Sequence, residues 1–275
     1  MPDLLMLIEN ANIQVSMMLM KPILQFQIIN DIDFHLHFLF LGLIFLIAIL
    51  YSSVGHGGAS GYLALMAIFS LPQEIMRPTA LTLNIFVSSI ALLSYYKNNH
   101  FRFKLLWPFI ATSIPFSFLG GFISINTKLY KIILGLFLLL AVLRFIFKPQ
   151  PPEIKKSVNI YLSLVIGALL GFFSGLIGIG GGIILSPLII ILGWANLKKT
   201  AAVSAAFILV NSISGFVGMM SQGAVLSNEI AYMIIAGVLG GVIGSWLGSF
   251  RFNDKKLLHA LAVVLFFASI KLILL

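Results

Sequence analysis

Charge is what this sequence has least of. Only 8 Asp and Glu and 17 Lys and Arg stand among 275 residues, 9% in all, where a soluble domain carries about 25%. A water-soluble globule needs a charged shell over its core, and these residues are too few to make one. Cysteine is absent, which excludes disulfides, thiolate metal sites and cysteine nucleophiles. The eight acids, Asp3, Glu9, Asp31, Asp33, Glu74, Glu153, Glu229 and Asp254, all lie in the first 35 residues or at the ends of apolar runs. That pattern offers no paired carboxylates and no intramembrane carboxylate relay. Five histidines scattered along the chain make neither a metal-spaced cluster nor, with such peripheral acids, a Ser-His-Asp set. The sequence therefore predicts no enzyme, no metal and no cofactor. The net charge of +9 is divided among short clusters between apolar runs, so it predicts membrane topology signals and no nucleic-acid partner.

What the chain has in abundance is apolar length. Hydrophobic residues make up 60% and the mean hydropathy is +1.10, so its solvent is lipid. A spanning helix needs about 20 mostly apolar residues. Eight such segments are predicted, at about 37 to 54, 79 to 96, 105 to 124, 130 to 147, 160 to 177, 200 to 220, 229 to 249 and 257 to 275. Two shorter runs, about 60 to 71 and 183 to 194, each follow a glycine cluster. Twelve residues reach only about 18 Å at 1.5 Å per residue, against a hydrocarbon core of about 30 Å, so these are expected to be half-helices. Residues 1–35 are interrupted by acids and carry no A-x-A-like cleavage site. They are expected to form an N-terminal surface extension, followed by a first transmembrane repeat at 36–148, a cytoplasmic linker at 149–158 and a second repeat at 159–275.

The repeat rests on register. A shift of 123 positions lays Gly55-His56-Gly57-Gly58 on Gly178-Ile179-Gly180-Gly181, Ser88-Ser89 on Asn211-Ser212 and Gly121 on Gly244. Each half then reads as a long helix, a glycine cluster, a short helix and three long helices. Lys and Arg mark cytoplasmic loops. The basic loops hold Lys97, Arg102 and Lys104; Arg144, Lys148, Lys155 and Lys156; Lys198 and Lys199; and Arg251, Lys255 and Lys256. With all four inside, the shift pairs the inner loop 97–104 with an outer loop near 220–227, so the halves are expected to be inverted, with both termini outside. Lys128, in an outer loop, runs against this placement.

Broken, glycine-rich segments at matching places in two inverted halves point to a transport site at the bilayer midplane. Here they are Ser52 to Gly61 and Gly175 to Gly182. Glycine lets the backbone bend and expose its N–H groups, and the short helix that follows starts with unpaired donors at the positive end of its dipole. Such an end binds anions. The candidate substrate-binding residues are Ser53, Gly55, His56, Gly57, Gly58, Ser60 and Asn84 from the first half, with Gly178, Gly180, Gly181, Gly182 and Asn211 from the second. Close helix packing is the alternative for glycine clusters in membranes. It is the reading adopted for Gly237, Gly241 and Ser245 and for Gly240, Gly244 and Gly248, which recur every four residues. His56 is the one ionisable residue inside a broken segment. It either serves the anion or a proton, or caps the bend as a neutral ring. Further hydroxyls flank the clusters at Ser52, Thr79, Thr82, Ser88, Ser186, Ser204, Ser212 and Ser214, groups able to bind an oxyanion without retaining it. Arg77 and Lys198 with Lys199 occupy matching mouths of the two halves, as anion attractors or as surface anchors. Without intramembrane acids, coupling is left to His56, to a protonated substrate or to the membrane potential acting on an anion.

The run Gly175 to Pro187, G-L-I-G-I-G-G-G-I-I-L-S-P, resembles the second-half motif of the sulfite exporter TauE/SafE family, and the resemblance covers about 40 to 275. The first-half copy departs from it, with His56 and Ser60 among the glycines and Ala64 where Pro187 stands in the repeat. The resemblance implies movement of small sulfur-containing anions such as sulfite, sulfoacetate and other organosulfonates. The expectation is an all-α, multi-pass protein of the inner (plasma) membrane, monomer or homodimer. It would work as a secondary transporter or facilitator exporting such anions. An anion channel, or a membrane enzyme or assembly factor acting on a lipid or sulfur intermediate, stands as the alternative.

Overall fold

Glycine or asparagine stands at the start of four of these helices, ahead of residues 59, 160, 182 and 197. The computed structural model describes residues 34–146, 157–227, 229–250 and 255–274. The expectations for residues 1–33, for 149–156 of the linker and for Arg251 and Asp254 lie outside the described residues. Every regular element among the described residues is an α-helix: α1 (Phe34–Ser52), α2 (Ala59–Ile68), α3 (Gln73–Lys97), α4 (Phe103–Phe122), α5 (Thr127–Ile146), α6 (Ile160–Ile177), α7 (Gly182–Ile191), α8 (Leu197–Met220), α9 (Ile230–Phe250) and α10 (Lys255–Leu274). Five of them, α3, α4, α6, α8 and α9, are long and apolar enough to cross a membrane by length and composition. Trp246, Phe267 and Leu169 stand more than half exposed, a surface suited to lipid and foreign to water. The chain is an all-α, multi-pass membrane protein.

The two short helices each span ten residues, about 15 Å, half the bilayer core. Both begin after a left-handed residue, Gly58 at φ 99° and Gly181 at φ 72°. An L side chain would cost about 1–2 kcal/mol in that conformation. Glycine at these two N-cap positions brings no capping side chain of its own. Elsewhere asparagine does the capping: Asn159 Oδ1 accepts from Leu162 N–H ahead of α6, and Asn196 Oδ1 from Lys199 N–H ahead of α8, each at 3.0 Å.

By its packing the chain divides into two units, Met1–Phe40 and Leu41–Leu275. In the first, the described residues are the opening turns of α1. Within the second, the 123-residue shift carries packed pairs onto packed pairs. Helix α4 packs on α6 and on α8, as α9 does on α1 and on α3. Helices α2 and α10 meet as α7 and α5 do, while α3 meets α8 and α5 meets α10.

Lipid tails are as apolar as leucine, so helix association here depends on close packing. Gly167, Gly171 and Gly175 on α6 lie against the backbone of Phe109, Ser113 and Ser117 on α4. Gly240, Gly244 and Gly248 on α9 lie against Phe45, Ile49 and Ser53 in the same way. The other face of α9, Gly237 and Gly241, meets Leu83 and Val87 of α3. The four-residue ribbons on α9 are packing devices, as their spacing predicts.

Candidate functional site

The two glycine turns converge on one side chain. Asn84, in the middle of α3 and 1% exposed, accepts a hydrogen bond through Oδ1 from Ala59 N–H, the first donor of α2, at 3.0 Å. Its Nδ2 donates to Ser212 Oγ on α8 at 3.3 Å. A Cβ added at Gly57 would strike Asn84 Oδ1, and one added at Gly180 would strike Asn84 Nδ2. Both would also meet Ile208 Cγ2 at 3.1 Å. The Asn84 amide and one Ile208 methyl group therefore lie against both Gly57 and Gly180.

Around them lies a set of unused donors. The N–H groups of Gly57, Gly58, Ser60 and Gly61, and those of Ile179, Gly180, Gly181, Gly182 and Ile183, make no hydrogen bond to any described residue. All nine residues are buried. The Tyr62 hydroxyl, fully buried beside Gly58, has no partner either. Buried N–H groups are almost always paired, and leaving one unpaired costs about 1–3 kcal/mol. Two such clusters at two helix N-termini, with no acidic side chain in either turn, form a cradle of partial positive charge, chemistry of the kind that suits an anion.

His56 joins the two glycine turns. Its Nδ1 lies 3.0 Å from Val54 O, and its Nε2 lies 3.2 Å from Gly182 O and 3.1 Å from Ser186 Oγ. Ser186 Oγ in turn pairs with Ser204 Oγ at 2.8 Å. The ring thus ties the first turn to the opening of α7 and, through two hydroxyls, to α8.

The remaining candidates take other places. Gly55 packs on Ala201 and Gly178 on the backbone of Arg77, at the outer ends of the two bends. Gly181 lies against Phe207 and Gly182 against Ile208. Ser53 Oγ donates to Leu50 O at 2.7 Å, within its own helix. Ser60 Oγ pairs with Tyr51 OH at 2.6 Å. Asn211 Nδ2 donates back to Phe207 O at 2.8 Å, and its Oδ1 is buried without a partner. Arg77 is buried too: Nη2 lies 3.4–3.5 Å from the carbonyl oxygens of Gly120, Ile123 and Gly175, where α4 and α6 end. A cation suits two helix C-termini. Three side chains at the cradle, Tyr62, Ile208 and Tyr51, are not singled out by sequence reasoning. The i, i+4 row Ser204, Ile208, Ser212 on α8 is the signal that marks the second of them.

Two half-length helices set behind glycine turns in a multi-pass bundle are an arrangement that membrane transporters use. The family model for the sulfite exporter TauE/SafE matches residues 40–272, and the chain belongs to that family. It is 33% identical over 234 residues to a Sinorhizobium fredii protein named "probable membrane transporter protein y4hK", covering 83% of this chain and 95% of that one. It is 24% identical over 216 residues to "probable membrane transporter protein YunE" of Bacillus subtilis, covering 71% and 79%. A Methanocaldococcus jannaschii protein with the same style of name is 26% identical over 192 residues, covering 64% and 70%. No solved structure matches the chain.

Proposed function

We propose that this transporter is a secondary carrier that exports small sulfur-containing oxyanions, with sulfite, sulfoacetate and other organosulfonates as its substrate class, across the inner (plasma) membrane. The observation that carries the proposal is the pair of buried, unpaired N–H clusters facing Asn84 from the two glycine turns. A tetrahedral or pyramidal oxyanion offers several acceptor oxygens and accepts from donors on two sides at once, which a carboxylate does less completely. The donors belong to the backbone, so they cannot swing away, and the site is pre-organised.

Release follows from the same chemistry. The cradle holds the anion with N–H groups and hydroxyls and with no fixed charge from Lys or Arg, so binding stays weak enough for turnover. The two halves are inverted repeats in this account, with the Lys- and Arg-bearing loops 97–104 and 198–199 in the cytoplasm, and rocking of one half on the other exposes the cradle alternately to each side. The chain acts as a carrier and carries out no reaction on its substrate.

Counterflow in proteoliposomes tests this. Vesicles holding purified protein are loaded with unlabelled sulfite, labelled sulfite is added outside, and sulfate, thiosulfate, sulfoacetate and acetate compete. Saturable exchange blocked by the sulfur anions and indifferent to acetate is the expected result. Unsaturable flux without counterflow identifies a channel, and no exchange with folded, inserted protein overturns the cargo assignment.

A further inference from the structure

We infer that Tyr62 is a ligand of the transported anion, its phenolic hydroxyl donating to an anion oxygen at the N-terminus of α2. The inference rests on the oxyanion reading above and adds to that site a side-chain donor on one side only.

Position carries the first part of the case. Tyr62 N–H donates to Gly58 O at 3.0 Å and so closes the first turn of α2. Side chains on an α-helix lean back toward its N-terminus, and this one does: a Cβ built on Gly58 would lie 2.7 Å from the Tyr62 hydroxyl oxygen. The phenol tip therefore rests over the left-handed glycine that opens the helix, beside the unpaired N–H groups of Gly57, Gly58, Ser60 and Gly61. Tyr62 is fully buried, and its hydroxyl has no hydrogen-bond partner among the described residues. Tyr51, buried on the same turn, differs in this respect, because its hydroxyl is bonded to Ser60 Oγ at 2.6 Å.

Packing alone does not call for that oxygen, and the second half of the chain supplies the comparison. The 123-residue shift lays Tyr62 on Leu185, Ser60 on Ile183 and Asn84 on Phe207. Leu185 is fully buried in an apolar cluster with Phe109, Leu170 and Phe207. Gly181, the counterpart of Gly58, is covered by Phe207 and Leu170. Hydrocarbon thus suffices to seat the half-helix α7 behind its glycine turn. A hydroxyl at the same place in α2 lowers the stability of the empty protein, since it has left its hydrogen bonds to water without replacing them. That cost is offset only when a group arrives that accepts from it. The phenol has one hydrogen to donate, and the N–H groups beside it are donors as well, so the arriving group is an acceptor of several hydrogen bonds. An oxyanion is such a group. The cradle is consequently uneven: the α2 side adds a side-chain hydroxyl to its N–H groups, whereas the α7 side sets hydrocarbon beside its own, and a bound anion turns an oxygen toward α2.

Tyr62→Phe removes the one oxygen and keeps the ring. Two quantities are read on the full chain, purified: the Kd of labelled sulfite, and the melting temperature with no anion added. Loss of a hydrogen bond to a charged acceptor raises the Kd about 10- to 150-fold, while the melting temperature stays the same or rises, because the hydroxyl is unpaired when the site is empty. A hydroxyl with a structural task gives the opposite pair of results. A Kd within about threefold of wild type overturns the assignment to Tyr62 and leaves the carrier reading standing. A lowered melting temperature, or failure of Tyr62→Phe to fold, overturns it as well, since either shows that the hydroxyl has a partner in the empty protein. Absence of sulfite binding and of sulfite exchange in folded, inserted wild-type protein defeats the oxyanion reading and this inference with it.

Discussion

Replacing Asn84 by Asp changes one atom at the centre of the cradle and should abolish anion binding while sparing the fold. The new carboxylate keeps the shape of the amide and the acceptor for Ala59 N–H, held at 3.0 Å by Oδ1 in the native protein. Ser212, now 3.3 Å from Nδ2 as an acceptor, can reverse its hydroxyl and donate. The folded state therefore loses no hydrogen bond. An anion held by the same N–H groups would lie about 4 Å from the new charge, and two unit charges at that distance repel by about 4 kcal/mol at an effective dielectric constant of about 20. That is a loss of about a thousandfold in affinity. Asn84→Ala is the companion: it leaves two buried partners unsatisfied, at about 1–3 kcal/mol each, so it lowers stability while leaving the cradle uncharged. Scintillation proximity binding of labelled sulfite to purified protein, beside thermal unfolding of each variant, separates the two effects. Binding by Asn84→Asp within about threefold of wild type, a difference under 1 kcal/mol, would refute a cradle that works by presenting N–H donors to a negative charge.

Three further substitutions have defined outcomes. Gly180→Ala places a methyl group on Asn84 Nδ2 at a residue with φ 76°. It should destabilise the protein by about 1–2 kcal/mol from the backbone alone and reduce sulfite exchange, both measurable on the same preparation. Gly171→Val directs its side chain at the backbone of Ser113, where even a Cβ would sit 2.8 Å from the carbonyl carbon. Helices α4 and α6 must then separate, and monodisperse protein on size-exclusion chromatography should be lost. His100, between α3 and α4, is held below its ordinary value of 6.5 by burial first and then by Lys198 and Lys199. Because the folded protein disfavours its charged form, the stability tied to this ring is fully present above pH 6.5 and declines as pH falls below it. The double change Lys198→Ala with Lys199→Ala should raise its midpoint, as followed by NMR of the ring protons.

Local pattern revealed the elements better than the contacts between them. The long apolar runs and the two glycine clusters predict, in the right order, the ten helices of the described residues, because hydropathy and helix-breaking glycines act within a few residues. The ends were less legible. The short helices were predicted to run to residues 71 and 194 and stop at Ile68 and Ile191. In the first, Ser70 takes φ 59° with no glycine to announce it. The second long run is predicted to start at about residue 79, yet α3 begins at Gln73 with Pro78 inside its second turn, since Pro72 already ends the preceding turn. For the site, Gly57, Gly58, Gly180 and Asn84 were legible because backbone exposure and an amide in lipid are local signals. The partners of His56 were not, because Ser186 lies 130 residues away and a side chain's direction is decided by packing. Tyr62 and Ile208 were missed for the same reason: an aromatic or aliphatic residue in an apolar helix carries no mark of what it faces.

The central claim is that one oxyanion sits between the two glycine turns. Anomalous diffraction from crystals of the protein soaked in selenite, an isostere of sulfite with a heavy scatterer at its centre, tests it most directly. The account predicts one strong peak beside Asn84, its oxygens within about 3 Å of N–H groups from both turns, and its disappearance in Asn84→Asp. A peak at Lys198 and Lys199 or at Arg77, with none between the turns in protein that exchanges sulfite, would contradict it.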